Sequence, residues 1–128
     1  MAETAQIATA LRQGGVIDIT TTGRRSGKPR RIEIVFFDFD GRIYISGMPG
    51  RRGWLANLAA DPRLMFHLKR GVQADLPATA RIITDEAERR PIIERVCAVW
   101  NRMDRVEAFV ARAPLIEVAL DDSRLMAA

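Results

Sequence analysis

Residues 16–47, VIDITTTGRRSGKPRRIEIVFFDFDGRIYISG, decide the fold. Val16 to Thr22 is β-branched almost throughout, which favours an extended strand. Thr22 to Pro29 then carries two glycines and a proline, the composition of a turn. Arg30 to Phe39 resumes as a strand, with Ile32, Ile34 and Phe36 on one face. Asp40-Gly41 is a strong two-residue hairpin signal. Arg42 to Gly47 follows as the partner strand, with Ile43 and Ile45 facing inward. Strands joined by tight turns pair antiparallel.

Working outward, residues 3–12 place Ile7, Ala8 and Leu11 at helical spacing and end at Gly14-Gly15. On the other side, Pro49-Gly50 opens a loop. Gly53 to Ala60 carries Trp54, Leu55 and Leu58 at helical spacing and stops at Asp61-Pro62. Arg63 to Lys69 alternates, with Leu64, Phe66 and Leu68 on one side. Gln73 to Thr84 is a long strand in which Pro77 marks an edge or a bulge. Asp85 and Glu88 have capping-box spacing. Pro91 predicts that the regular part of the following helix begins near it. That helix is expected to bury Ile92, Ile93, Val96, Val99 and Trp100 and to end near Arg102. Val106 to Ala111 forms a second helical piece, and Leu115 to Leu120 a last strand. The order predicts a single α+β, mainly β, domain over residues 1–128: a small antiparallel split β-barrel with flanking helices.

Composition narrows the function. The chain of 128 residues carries a formal charge of +4 and one cysteine, Cys97. A lone cysteine excludes an internal disulfide framework. One histidine beside one cysteine argues against a zinc site, so no metal is expected. No apolar run approaches the roughly 20 residues that span a bilayer, so no integral membrane segment is expected. The opening residues Met1 to Thr4 lack a signal-peptide pattern, and a cytoplasmic location is expected. The charge is uneven: residues 1–70 hold 12 Lys and Arg against 6 Asp and Glu, and residues 71–128 hold 8 against 10.

The densest basic stretch is Thr21 to Arg31, TTGRRSGKPRR. A glycine-bearing turn exposes backbone N–H groups and can form a concave anion site. Arginine adds bidentate forks for phosphate or carboxylate. A solvated hairpin tip would have the same composition. Nucleic acid is not the expected partner, because the cations form one turn without interleaved aromatics.

Four blocks occur in order: TTGRRSGKPRR, the Asp40-Gly41-Arg42 hairpin, Gly53-Trp54-Leu55-Ala56-Asn57-Leu58, and Ala60-Asp61-Pro62. Together they resemble the deazaflavin-dependent nitroreductase and quinone reductase family, closely over residues 16 to about 85 and more loosely to the last strand. The resemblance implies an FMN-binding-like split barrel. It implies coenzyme F420, in its reduced form, as hydride donor to a small-molecule acceptor: a quinone, a nitroaromatic or an activated alkene. It places Arg24, Arg25 and Ser26 at the cofactor's phosphate and acidic tail. Arg30 and the strand residues Arg31, Ile32, Glu33 and Ile34 fall where the family contacts tail and ring. Ser46, Gly47 and Met48 match the loop beneath the deazaflavin, and Trp54 and Asn57 the short helix beside the phosphate.

Three features depart from that pattern. Met48-Pro49 stands where relatives often place a lysine, with Arg51 or Arg52 as the nearest substitutes. The loop is shorter. The tyrosine-rich substrate segment is replaced by Trp100, Asn101 and Met103, so Trp100 and Met48 are the expected acceptor contacts. No catalytic residue is expected, since the chemistry belongs to the cofactor. His67, on the side of its strand opposite the apolar row, is expected to face solvent or a subunit partner, as in a homodimer. Cys97 is expected in or near the core. The alternatives are an FMN-binding reductase of the same barrel type, and a non-enzymatic small basic protein that binds nucleic acid or stores a cofactor.

Overall fold

The computed structural model describes residues 3–126. Its elements are helix α1 (Thr4–Gln13), strands β1 (Gly15–Thr22), β2 (Pro29–Phe39) and β3 (Arg42–Ser46), and helix α2 (Gly53–Ala60). Strands β4 (Arg63–Leu68) and β5 (Ala74–Ile82), helices α3 (Glu86–Trp100) and α4 (Val106–Arg112), and strand β6 (Leu115–Leu120) complete it. The strands close into an antiparallel barrel in the order β1-β2-β3-β6-β5-β4. This is the expected barrel with flanking helices.

The β2–β3 hairpin forms as Asp40-Gly41 requires. Both residues have positive φ, 58° and 84°, and Gly41 N–H donates to the Asp38 carboxylate at 2.9 Å. Two positive φ values in succession give the turn whose twist matches its flanking strands. Pro77 pairs with Met65 of β4 but lies one residue outside the β5–β6 ladder, which starts at Ala78. Its missing N–H therefore falls at a local strand edge, where only its carbonyl is used, accepting from Asp121 N–H at 3.0 Å.

Two apolar layers hold the domain. Inside the barrel lie Ile17, Ile19, Phe36, Ile43, Ile45, Phe66 and Ile116, with Leu11 of α1 and Trp54 and Leu58 of α2 sealing the ends. Outside it, α3 and α4 cover Phe37, Phe39, Tyr44 and Leu115 with Ile93, Val96, Cys97 and Phe109. The run Val35-Phe36-Phe37 serves both layers, because alternate side chains leave opposite faces of β2.

Helix α3 differs from expectation in two ways. It is regular from Glu86, not from Pro91. Asp85 caps it by accepting from Glu88 N–H at 3.0 Å, and the first helical bond, Arg89 N–H to Asp85 O, already forms at 2.8 Å. Pro91 removes one internal donor, which this capped and acidic first turn tolerates. The buried stripe is also rotated: Arg89, Ile93, Val96 and Cys97 face in, whereas Val99 is 62 % exposed. A charged residue occupies the position that hydrophobicity assigned to the surface. Arg89 is buried, and its guanidinium donates to the carbonyls of Ile83, Phe109, Val110 and Ala113 at 2.7–3.2 Å. It closes the carbonyl end of α4, where a cation is favoured. Burial lowers its pKa from the ordinary arginine value.

His67 also departs from expectation. It lies on the outer face of β4 but is buried. Its Nδ1 donates to the Asp75 carboxylate at 2.6 Å, and its Nε2 lies 2.7 Å from the Thr20 hydroxyl. Neighbouring strands of the same chain bury it. Cys97 is fully buried, and burial pushes its thiol up, away from the reactive thiolate.

Candidate anion and cofactor site

The basic turn links β1 to β2 and is held by its own backbone. Gly23 N–H donates to Lys28 O and Gly27 N–H to Gly23 O, both at 2.8 Å. Ser26 Oγ accepts from Lys28 N–H at 3.1 Å. A Cβ on Gly23 would meet Ser26 Oγ at 2.7 Å and Lys28 O at 3.2 Å, so a side chain there would displace the serine hydroxyl and crowd the turn. These bonds use main-chain groups and the Ser26 hydroxyl, and none of them engages a cationic side chain.

The turn packs against the N-terminal end of α2 around a cavity of about 340 Å³. Its walls are Thr21, Gly23, Arg24, Arg25, Ser26 and Arg30 from the turn and its strands, Ile32 of β2, and Gly53, Trp54 and Asn57 of α2. Three guanidinium groups and no carboxylate line it. Helix α2 begins at Gly53, and Ala56 N–H to Arg52 O at 3.2 Å is its first internal bond. The amides of Gly53, Trp54 and Leu55 therefore lack helical partners, and the helix dipole favours an anion beside them. Among the described residues, the side chains of Arg25, Lys28 and Arg30 form no ion pair and no hydrogen bond to the protein.

The expected site residues divide by strand face. Arg24, Arg25, Ser26, Arg30, Ile32, Trp54 and Asn57 come together on the cavity. Arg31 and Glu33 leave the opposite face of β2. Arg31 donates to Asp18 at 2.9 Å, and Glu33 accepts from Lys69, which also donates to Asp18 at 2.7 Å. Ile34 packs into the barrel interior. Ser46 is buried and donates to Pro114 O at 2.7 Å, so its hydroxyl holds the fold. Gly47 lies against Pro114, and Met48 is exposed on the loop before α2.

Arg52 does not replace the missing lysine of that loop as a free cation. It folds back to donate to Met48 O and Arg51 O, both at 2.9 Å. Trp100 lies away from the cavity, edge-on to Phe37 at 5.3 Å and Phe109 at 6.3 Å between ring centroids. It belongs to the layer between barrel and helices and does not line this cavity. Thr21, Gly23 and Gly53 were not expected in the site. Thr21 was legible in principle: strand alternation puts it on the inner face with Ile17 and Ile19.

A larger cavity of about 450 Å³ lies between α3 and α4. There Arg89 is saturated by carbonyls, and Arg90 by Glu86 and Glu107. Volume favours that cavity, and the Arg112 side chain on its wall has no partner among the described residues, but Glu86 and Glu107 line it; anion chemistry favours the smaller cavity, which no carboxylate lines. Among the described residues no cluster of three or more His, Cys, Asp or Glu could hold a metal. No helix there is long and apolar enough to cross a membrane.

The family profile for F420H(2)-dependent quinone reductase matches residues 1–121. Solved structures share the fold at low identity. The conserved hypothetical protein Rv2991 from Mycobacterium tuberculosis has 17% identity, with 94% of this chain and 82% of that one aligned at a TM-score of 0.72. A putative pyridoxamine 5'-phosphate oxidase from Listeria innocua has 14% identity, with 93% and 94% aligned at 0.70. An F420-H2 dependent reductase has 20% identity, with 82% and 94% aligned at 0.60.

Proposed function

The chain belongs to the F420H(2)-dependent quinone reductase family and is an F420-dependent oxidoreductase; we propose that it binds the coenzyme in the cavity between the basic turn and α2 and reduces a quinone. Nitroaromatics and activated alkenes are further acceptors of the same electrophilic class. One observation carries the placement: the uncommitted Arg25 and Arg30, the Arg24 guanidinium held by neutral groups, and the first residues of α2 line a single cavity without an acid.

The residues present fit an anionic coenzyme. Arg24, Arg25 and Arg30, with Ser26 and the α2 amides, would hold phosphate and carboxylate groups through charge-assisted bonds. Ile32 and Trp54 would offer apolar surface to a ring. When bound, the reduced deazaflavin supplies a hydride. The chain's own task is then to hold the reactants together and limit water. None of the residues lining the cavity is Asp, Glu or His. A general acid or base is therefore not expected, and the rate of quinone reduction should vary little between about pH 6 and 8. A sharp bell-shaped profile would contradict this.

FMN is the second reading, since its phosphate could use the same donors. Titrating the purified protein with oxidised and reduced coenzyme F420, and with FMN in parallel, separates the two. The expected result is saturable F420 binding at least tenfold tighter than FMN. Binding of FMN alone would overturn the proposal.

A further inference from the structure

Asn57 is 6 % exposed, and its side-chain amide is engaged on both sides. Its Oδ1 accepts from the backbone N–H of Arg24 at 3.1 Å and from Arg24 Nη1 at 3.0 Å. Its Nδ2 donates to Thr21 Oγ1 at 3.1 Å. The amide thus stitches α2 to the last inward residue of β1 and to the first arginine of the turn. Arg24 Nη1 also reaches Gly53 O at 3.5 Å, at the start of the same helix.

We propose that Asn57 is a positioning residue: it holds the Arg24 guanidinium at the cavity wall without neutralising it. This rests on the reading of the cavity as the coenzyme site. The family resemblance set Asn57 beside the phosphate, but its polar atoms already have protein partners. One N–H of Nδ2 is left over, but both bonds at Oδ1 go to Arg24, and the influence of Asn57 on an anion passes through that residue. Chemistry explains why an amide stands here. A carboxylate would accept the same two bonds from Arg24, but its charge would cancel the guanidinium's attraction for an anion. A neutral amide fixes the cation and leaves its charge in force. It can also donate to Thr21, which a carboxylate cannot.

A double-mutant cycle on F420 affinity tests this, with Arg24→Ala, Asn57→Ala and the double variant. Each single change is expected to raise Kd about tenfold, the scale of a lost charge-assisted bond. The double variant is expected to bind within about twofold of Arg24→Ala. Additive losses, about a hundredfold together, would mean that Asn57 contacts the coenzyme itself and would overturn the proposal. So would wild-type affinity in Asn57→Ala.

The near-isosteric Asn57→Asp keeps the test informative if the alanine variant folds poorly. Its melting temperature should stay near wild type while its Kd rises about tenfold or more. Unchanged affinity in that variant would also overturn the proposal. Hydrogen exchange at the Arg24 amide reads the clamp without ligand: faster exchange in Asn57→Ala is expected, and an unchanged rate would contradict it. If the wild type does not bind F420 at all, the coenzyme reading itself fails; wild-type binding with additive losses removes only the role given to Asn57.

Discussion

Arginine does two different jobs on this barrel. On the side covered by α3 and α4, each of the following guanidinium groups has a partner. Arg89 donates to four carbonyls, Arg90 bridges Glu86 and Glu107, and Arg81 bridges Glu88 and Glu117. Arg95 pairs with Asp40 and lies 4.4 Å over the Phe39 ring. At the β1–β2 turn, the side chains of Arg25, Lys28 and Arg30 have no such partner among the described residues, and Arg24 is held by a neutral amide. Paired arginines fasten helices to the barrel. Unpaired ones keep their charge, which the proposed function assigns to an anion from outside. Changes on the covered side should therefore cost stability and spare affinity, and changes at the turn should do the reverse.

The largest effect is expected at the centre of the covered layer. Val96 is fully buried between α3 and the barrel. Val96→Asp should abolish folding, because an uncompensated buried charge costs several kcal/mol. Circular dichroism checks it, and a soluble variant with wild-type melting temperature would mean that the helices do not seal this face. Next comes Arg89→Met, which removes the donors to four carbonyls, of which, among the described residues, only Phe109 O keeps another partner, the Ala113 N–H. A loss of about 2–4 kcal/mol is expected from denaturant unfolding. F420 affinity of the folded protein should stay within about twofold of wild type. A larger fall in affinity would couple the two regions that the comparison separates.

The smallest effect is expected at Asp18, on the bare outer face of β1. Lys69, and then Arg31, hold its carboxyl below the usual range through hydrogen bonds. A depressed folded pKa contributes stability that is present above the unfolded value and lost as pH falls below about 4. Asp18→Asn should therefore melt slightly lower than wild type at pH 7 and at the same temperature near pH 2. A difference that persisted at pH 2 would show that the carboxylate's charge is not the cause.

Much of this was legible in the sequence. The strand and helix order followed from alternation, from Asp40-Gly41 and from the glycine turn. Several residues that line the cavity came from the basic run and, for Trp54 and Asn57, from the family resemblance. What escaped has physical reasons. Arg31 and Glu33 were grouped with Arg30 and Ile32 as one contacting segment, although a strand sends neighbours to opposite faces. Val99 was placed inside because a hydrophobic stripe could not anticipate that Arg89 would be buried by helix-end carbonyls. Trp100 was assigned to an acceptor by the family resemblance, and long-range packing with Phe37 and Phe109 sets it apart from the basic cavity. His67 was placed facing solvent or a subunit partner because one of its partners, Thr20, becomes a neighbour only when β1 pairs with β4, and Asp75 only when the β4–β5 register is set.

The central claim is that uncommitted charge at the turn holds the coenzyme. The direct measurement is a fluorescence titration of coenzyme F420 into wild type, Arg25→Ala and Arg30→Ala at low salt, with melting temperatures taken on the same samples. Each variant should bind more weakly by about 1–3 kcal/mol, the range of a charge-assisted hydrogen bond, while melting as wild type does. Unchanged affinity in both variants would contradict the claim and remove the turn from the site.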